Sequence, residues 1–309
     1  MSVRPLSTEL GKIAEKELNE TPKKLEDGIQ HLREWIIMQP HLRATTDDQW
    51  LAAFLRGCKH SLEKAKTKLD LYYSLRTISP DLFSLKHNDR RFKELLLIGS
   101  VLVLPKTSVS TDPRVVLIRP GRFDPNKYSI AEFISLSLIC QQVMYVEDDV
   151  FMVNGTINII DLEGVTTTHV LQMTPTIMKK FSVATQDASP LRLKRIYFIN
   201  SPPVFEKFFL TVAVQFLSNK HKDRIHVTSK GLSACWNGIN TDILPAEYGG
   251  KGGTGQEIVE DMLKKINKYE SWLDEDMKCG TDESRRPGKP KTAEDMFGVD
   301  GSFRQLEVD

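Results

Sequence analysis

From Val204 to Leu217 the chain is apolar almost all the way round a helix. At about 100° per residue, Phe205, Phe208, Phe209, Val212 and Phe216 form one stripe, and Leu210, Ala213, Val214 and Leu217 widen it. Only Lys207, Thr211 and Gln215 share a polar edge. A helix covering a core needs an apolar arc of about 100°, and this arc is roughly twice as wide. Such a helix is either buried on two sides or meets a second apolar partner.

The rest of the hydrophobic pattern has two textures. Residues 1–94 read as an all-helical module. Thr21-Pro22 places an N-cap and a first-turn proline before a helix that runs to about Ile36 and stops before Pro40. Asp47 and Asp48 can cap a short helix, and Ser61 another in which Leu62, Ala65, Leu69, Tyr72 and Leu75 recur near helical spacing. From about Leu95 short apolar runs appear at 101–105, 115–118, 157–160 and 196–199. Helical stretches separate the later ones: Ser129 and Glu132 form a capping box for a helix from Ile130, and Thr174-Pro175 opens another through about Thr185. Strands of near-continuous apolar character alternating with helices predict an α/β unit with a mainly parallel sheet. This unit spans residues 95–253. The last part, 254–309, holds an amphipathic helix (Ile258, Met262, Ile266, Tyr269, Leu273) and a polar tail expected to be mostly flexible. Its final residues, 297–309, keep enough apolar character to dock back.

Composition narrows the class. Hydrophobic content of 40% and charged content of 27% over 309 residues are those of a globular protein with ample core. The amino terminus is too charged for a signal peptide, so a cytoplasmic protein is expected. Cys58, Cys140, Cys235 and Cys279 form no CxxC pair and read as reduced structural thiols. The net charge of +1 argues against nucleic acid as a partner, and any anion recognition has to be local. It is local. Between Pro190 and Lys230 eight Lys/Arg stand against two acids, Glu206 and Asp223, a regional +6. Arg192 and Lys194 alternate along a strand and share a face; Lys220 and Arg224, four apart, share a face of a helix. Together they predict an anion site suited to phosphate.

Catalytic patterns are weak. The glycine loop at 249–255 lacks the Gly-Lys-Ser/Thr ending of a phosphate-binding loop, no nucleophile elbow exists, and seven histidines show no metal spacing. Asp161 and Glu163 could be an acidic pair or could orient a turn at Gly164, and the turn is favoured. Neither an enzyme nor a bound cofactor is expected.

Several segments, in order, resemble the CRAL-TRIO lipid-transfer family, in the branch of the alpha-tocopherol transfer protein and cellular retinaldehyde-binding protein. These are Phe54–Arg76 (FLRGCKHSLEKAKTKLDLYYSLR), Asn154–Val165 (NGTINIIDLEGV), TPTIMKK, SPLRLKRIYFINSPPVF, FLSNKHKDRIHV and Leu244–Gly250 (LPAEYGG). The match covers roughly residues 45 to 250. The resemblance implies a CRAL-TRIO-type sheet with a mobile lid, Val204–Leu217, over a hydrophobic pocket. It also implies a phosphoinositide-binding patch at Arg56, Arg192, Lys194, Lys220 and Arg224. The order Arg192-x-Lys194 is swapped relative to the family's best-known member, Gln215 stands where proline is common, and Thr228-Ser229 where His-Gly is common. Pocket candidates are Ile160, Ile196 and Phe198 on strands, Ser137 and Gln141 on a helix, and Phe205, Phe209 and Val212 on the lid. The expected role is a non-catalytic carrier, a monomer, for one tocopherol, retinoid or similar isoprenoid, released during transient association with phosphoinositide membranes. The alternatives are a phosphatidylinositol or phospholipid exchanger or sensor, and a protein-docking module with a vestigial lipid site.

Overall fold

Capping chemistry sets where several helices begin. Thr21 Oγ1 accepts from the Lys24 amide at 3.2 Å, with Pro22 in the first helical position. Ser129 and Glu132 close their capping box reciprocally, at 2.8 and 3.2 Å, and Thr174 Oγ1 accepts from Ile177 at 3.3 Å. Asp47 and Ser61 occupy cap positions without a capping side-chain bond. Asp47 instead accepts from Trp272 Nε1 at 2.7 Å, a tertiary partner that no local pattern announces.

The computed structural model describes residues 1–109, 111–232 and 239–298; the side chains of Val204, Leu210, Ala213, Lys220 and His221 are outside that description. Cys235 and the final residues 299–309 therefore lie outside the described residues. In chain order come α1 (Thr8–Ile13), which continues into a π-helical turn (Ala14–Leu18), α2 (Pro22–Ile37), β1 (Leu42–Arg43), α3 (Asp48–Gly57), α4 (Leu62–Ile78) and α5 (Arg90–Leu97). Then follow β2 (Val101–Val103), β3 (Arg114–Ile118), α6 (Ile130–Glu147), α7 (Asp149–Val153), β4 (Thr156–Asp161), α8 (Thr167–Gln172) and α9 (Pro175–Ser182). The chain closes with β5 (Leu193–Ile199), α10 (Pro203–Thr211), α11 (Asn219–Lys222), β6 (Ile225–Val227), α12 (Gly255–Lys268), α13 (Glu270–Asp276), β7 (Gly280–Thr281) and α14 (Ala293–Phe297).

Five strands form one sheet in the order β2-β3-β4-β5-β6; β2 is antiparallel to β3 and the other neighbours are parallel. The four expected apolar runs are four of these strands. β6 was not foreseen, because its Ile-His-Val is too short to show a period. The register gives the two faces different characters. Val115, Leu117, Ile157, Ile159, Tyr197 and Ile199 are buried, whereas on the opposite face Ile118, Asn158, Ile160, Ile196 and Phe198 are half-buried. Ile118, Ile160, Phe198 and Val227 line up across four strands, as do Val116, Asn158, Ile196 and Ile225. The almost uniformly apolar α6 runs through the middle, with α3, α5, α7 and α12 against it.

Three sequence expectations are corrected. The lid is not one helix: α10 ends at Thr211, Val212 leaves helical geometry at φ −122°, ψ −61°, and a 3-10 turn follows (Ala213–Phe216). Thr211 Oγ1 donates back to the Lys207 carbonyl at 2.6 Å and Gln215 Nε2 caps the Thr211 carbonyl at 2.7 Å, so side chains compensate the break. Second, α11 ends at Lys222, so Arg224 is not on one helix face with Lys220. Third, the tail is tied down as far as Phe297. β7 pairs antiparallel with β1, Arg286 donates to Asp70 and Ser74 at 2.9 Å each, and Lys291 pairs with Asp70. Phe297 packs against the core and lies beneath the Lys180 ammonium, 5.6 Å from its ring centre. Arginine and lysine in SRRPGKPK read as solvated charge until their carboxylate, more than 200 residues earlier, is seen.

Candidate functional site

The half-buried sheet face is the floor of the site and α10 is its cover. Proline at 203 opens α10, and Phe205 and Phe209 then face the sheet. Phe205 and Phe209 meet Phe198 of β5 with ring centres 5.3 and 5.2 Å apart, and each other at 5.9 Å. Aromatic pairs in such tilted and offset arrangements contribute about 0.5–1.5 kcal/mol each beyond burial. Phe209 is buried, yet Phe205, Val212, Phe198, Ile196 and Ile160 stay half-buried. Among the strand and lid candidates, the structure brings Phe198 of β5 together with Phe205 and Phe209 of α10.

The α6 candidates differ. Ser137 is buried and its hydroxyl donates to the Phe133 carbonyl at 3.0 Å. Gln141 is half-buried and accepts from the Tyr145 hydroxyl at 3.2 Å. Both are already engaged within α6, and each retains further hydrogen-bonding capacity.

Beyond the lid's distal end, the Ser182 hydroxyl at the end of α9 donates to the Phe216 carbonyl at 2.7 Å, and Gln186 Nε2 donates to the same oxygen at 3.2 Å. Gln186 Oε1 also accepts from the Ser218 amide at 3.1 Å. Residues 182–186 therefore moor the lid. Sequence reasoning missed both, since neither stands in a motif.

The basic residues separate into two groups. Arg56 is no surface cation: only 1% exposed, it makes a bidentate contact with Glu20 and a 2.9 Å bond to Asp149. Burial next to the predicted strip, with its charge fully matched, takes it out of the expected patch in this state. Glu20 also contacts His60 Nε2 at 3.1 Å. Burial pushes the Glu20 carboxyl up, but the bonds from His60 and Arg56 outweigh it and hold it at about 2. Arg192 precedes β5 and Lys194 falls at an irregularity in its register, so strand alternation does not pair them, yet a common acceptor does. Both reach one acceptor, Glu17 Oε2, at 2.9 and 3.1 Å. The Arg192 bond is the chief reason the Glu17 carboxyl is lowered. Arg224 donates to the Leu193 carbonyl, which brings it beside the start of β5. Lys220 sits on α11 close in sequence.

Asp161, the last residue of β4, orients the turn that follows it. Its carboxylate accepts from the Glu163 amide at 3.0 Å, from Asn200 Nδ2 at 2.8 Å and from the Tyr248 hydroxyl. The glycine loop after Tyr248 is also structural: a side chain at Gly250 would meet the Leu244 carbonyl at 2.1 Å.

A helical module, a mainly parallel sheet with one half-open apolar face and an aromatic lid over that face define a lipid-binding α/β fold. Residues 110–250 match the CRAL/TRIO domain and residues 21–90 a Pinta-like UBA domain. The chain is 32% identical over 253 residues to a human protein described as "Alpha-tocopherol transfer protein-like", covering 80% of this chain and 72% of that one. It is 30% identical over 250 residues to human Clavesin-2, covering 79% and 75%. Among solved structures it is similar to "Crystal structure of Sfh5", at a TM-score of 0.48 and 13% identity over 88% of this chain and 100% of that one. The chain belongs to the CRAL-TRIO family of lipid-binding and transfer proteins.

Proposed function

We propose that this protein is a non-catalytic carrier of one hydrophobic small molecule, a tocopherol, retinoid or similar isoprenoid, and that it releases its cargo at phosphoinositide-containing membranes. The observation that carries the reading is the sheet face on which Ile160, Ile196 and Phe198 stay half-buried, with Phe198 meeting Phe205 and Phe209 of α10. Removing apolar ligand surface from water is worth roughly 25 cal/mol per Å², enough for a closed pocket to hold a lipid tightly. Release then requires a second state that the membrane favours. The broken lid supplies a hinge at Val212. Its apolar outer side can enter the membrane interface, while the cations of the strip meet anionic headgroups at about 1 kcal/mol each. Differential affinity for the open form shifts the population towards it.

Native mass spectrometry with lipid extraction, on protein from its own tissue, tests the cargo. A single bound isoprenoid supports the carrier reading. Phospholipid alone replaces it with an exchanger, and protein that stays empty after incubation with candidate lipids replaces it with a docking module.

A further inference from the structure

The strip expected to take anionic headgroups is already occupied by an anion of the chain itself. Glu17 lies on the π-helical turn after α1, and its Oε2 sits 2.9 Å from Arg192 Nη2 and 3.1 Å from Lys194 Nζ. One carboxylate oxygen bridging two cations is the contact a phosphate oxygen would make there. The carboxylate can leave: the Glu17 side chain is 41% exposed and that of Lys194 37%, while Arg192 is held by a second bond, to the Val153 carbonyl. The segment carrying Glu17 rests on its own small apolar cluster, in which Leu10, Ala14 and Leu18 meet Val153 apart from the main core. A cleft of about 850 Å³ opens between this segment, at Leu6, Gly11 and Ala14, and α2, at Leu25, Ile29 and Arg33. Asn19, in left-handed geometry at φ 60°, joins the segment to α2.

We propose that Glu17 is an internal competitor for the headgroup site, which a phosphoinositide has to displace from Arg192 and Lys194 before the strip can dock. This rests on the phosphoinositide reading above and adds its regulation. Displacement lowers the affinity for every anionic surface by the same factor. Membranes that offer only singly charged headgroups then fall below useful occupancy, while those that offer several phosphates on one headgroup remain above it. Glu17 thereby sets a charge threshold for membrane docking without changing the ratio between lipids.

The test is binding of the full-length protein to phosphatidylcholine vesicles containing phosphatidylinositol bisphosphate, phosphatidylserine or neither. Glu17→Gln is expected to tighten binding to both anionic vesicles by a common factor of about three to ten, the range for two partly exposed ion pairs. Glu15→Gln removes the same charge from the same turn and is expected to change nothing. In a Lys194→Ala background, Glu17→Gln is expected to give a smaller gain, because part of the effect runs through that cation. Unchanged binding of Glu17→Gln, or an equal gain from Glu15→Gln, overturns the competitor while leaving the headgroup site standing. If neither wild type nor Glu17→Gln prefers bisphosphate vesicles to phosphatidylcholine alone, the headgroup site itself fails and the competitor with it.

Discussion

The Ser182 hydroxyl at the end of α9 donates to the Phe216 carbonyl at the far end of the lid, at 2.7 Å. With Gln186, which donates to the same oxygen, this bond holds the distal side of a cover whose near side meets Phe198. A typical intramolecular hydrogen bond contributes about 0.5–1.5 kcal/mol net, and where it exists only in the closed state its loss accelerates opening by about two- to tenfold. Ser182→Ala is expected to raise the off-rate of a bound fluorescent isoprenoid by that amount with little change in thermal stability. An unchanged off-rate would show that the lid opens elsewhere.

The lysines of the strip are the sharper probes of membrane release, because Arg192 and Arg224 also brace main-chain carbonyls. At about 1 kcal/mol per cation, the double variant Lys194→Ala with Lys220→Ala is expected to weaken binding to phosphoinositide vesicles by up to about thirtyfold. Transfer to those vesicles slows accordingly while isoprenoid affinity stays intact. Loss of both activities, or of neither, contradicts the division into cargo pocket and docking strip.

Glu20 predicts an acid limb of stability. Its carboxyl sits at about 2, below its ordinary value of 4.5, because His60 and Arg56 bond the charged form. A depressed folded value means the contribution is complete above about pH 4.5 and is lost as pH falls from there through about 2. The shift corresponds to something on the order of 3 kcal/mol. Glu20→Gln is expected to lower stability at neutral pH and to flatten the denaturation midpoint between pH 4.5 and 2. A variant whose pH profile parallels wild type would assign the acid limb to other carboxylates, Asp70 first, whose carboxyl burial raises but whose bonds from Arg286, Lys291 and His41 hold at about 2.

Asp276 at the end of α13 is fully buried and joins three elements that are distant in sequence. It accepts from Thr45 Oγ1 at 2.6 Å and Tyr73 at 2.8 Å, and it pairs with Arg76 and Gln142. Asp276→Ala strands the buried Arg76 charge, at an expected cost of about 3–5 kcal/mol in chemical denaturation. A cost below about 1 kcal/mol would mean the site hydrates when the carboxylate is removed.

The chain announces its layers locally. Thr21-Pro22, the Ser129–Glu132 box and Thr174-Pro175 begin helices through bonds that span three residues, and the apolar runs at 101–105, 115–118, 157–160 and 196–199 are long and continuous enough to stand out as strands. β6 has three residues, with His226 in the middle, and no period can be seen in it. The apolar arc from Val204 marks the helix that the structure places at Pro203–Thr211. Its break at Val212 is set by side chains on both sides of the kink and by the mooring at Phe216, which a helical wheel does not contain.

What the sequence by itself determined is the α/β class, the family and the apolar helix after Pro203, because each is carried by local pattern or by the order of segments along the chain. Tertiary structure alone decided what the charges are doing. Arg56 spends its charge inside the protein on Glu20 and Asp149, Arg192 and Lys194 share Glu17, and Arg286 and Lys291 bind the tail to Asp70. A cation reads the same in sequence whether it faces water, a membrane or a carboxylate 175 residues away. Electrostatic pairing acts through space over a few ångströms, and only the fold sets which residues stand within that reach.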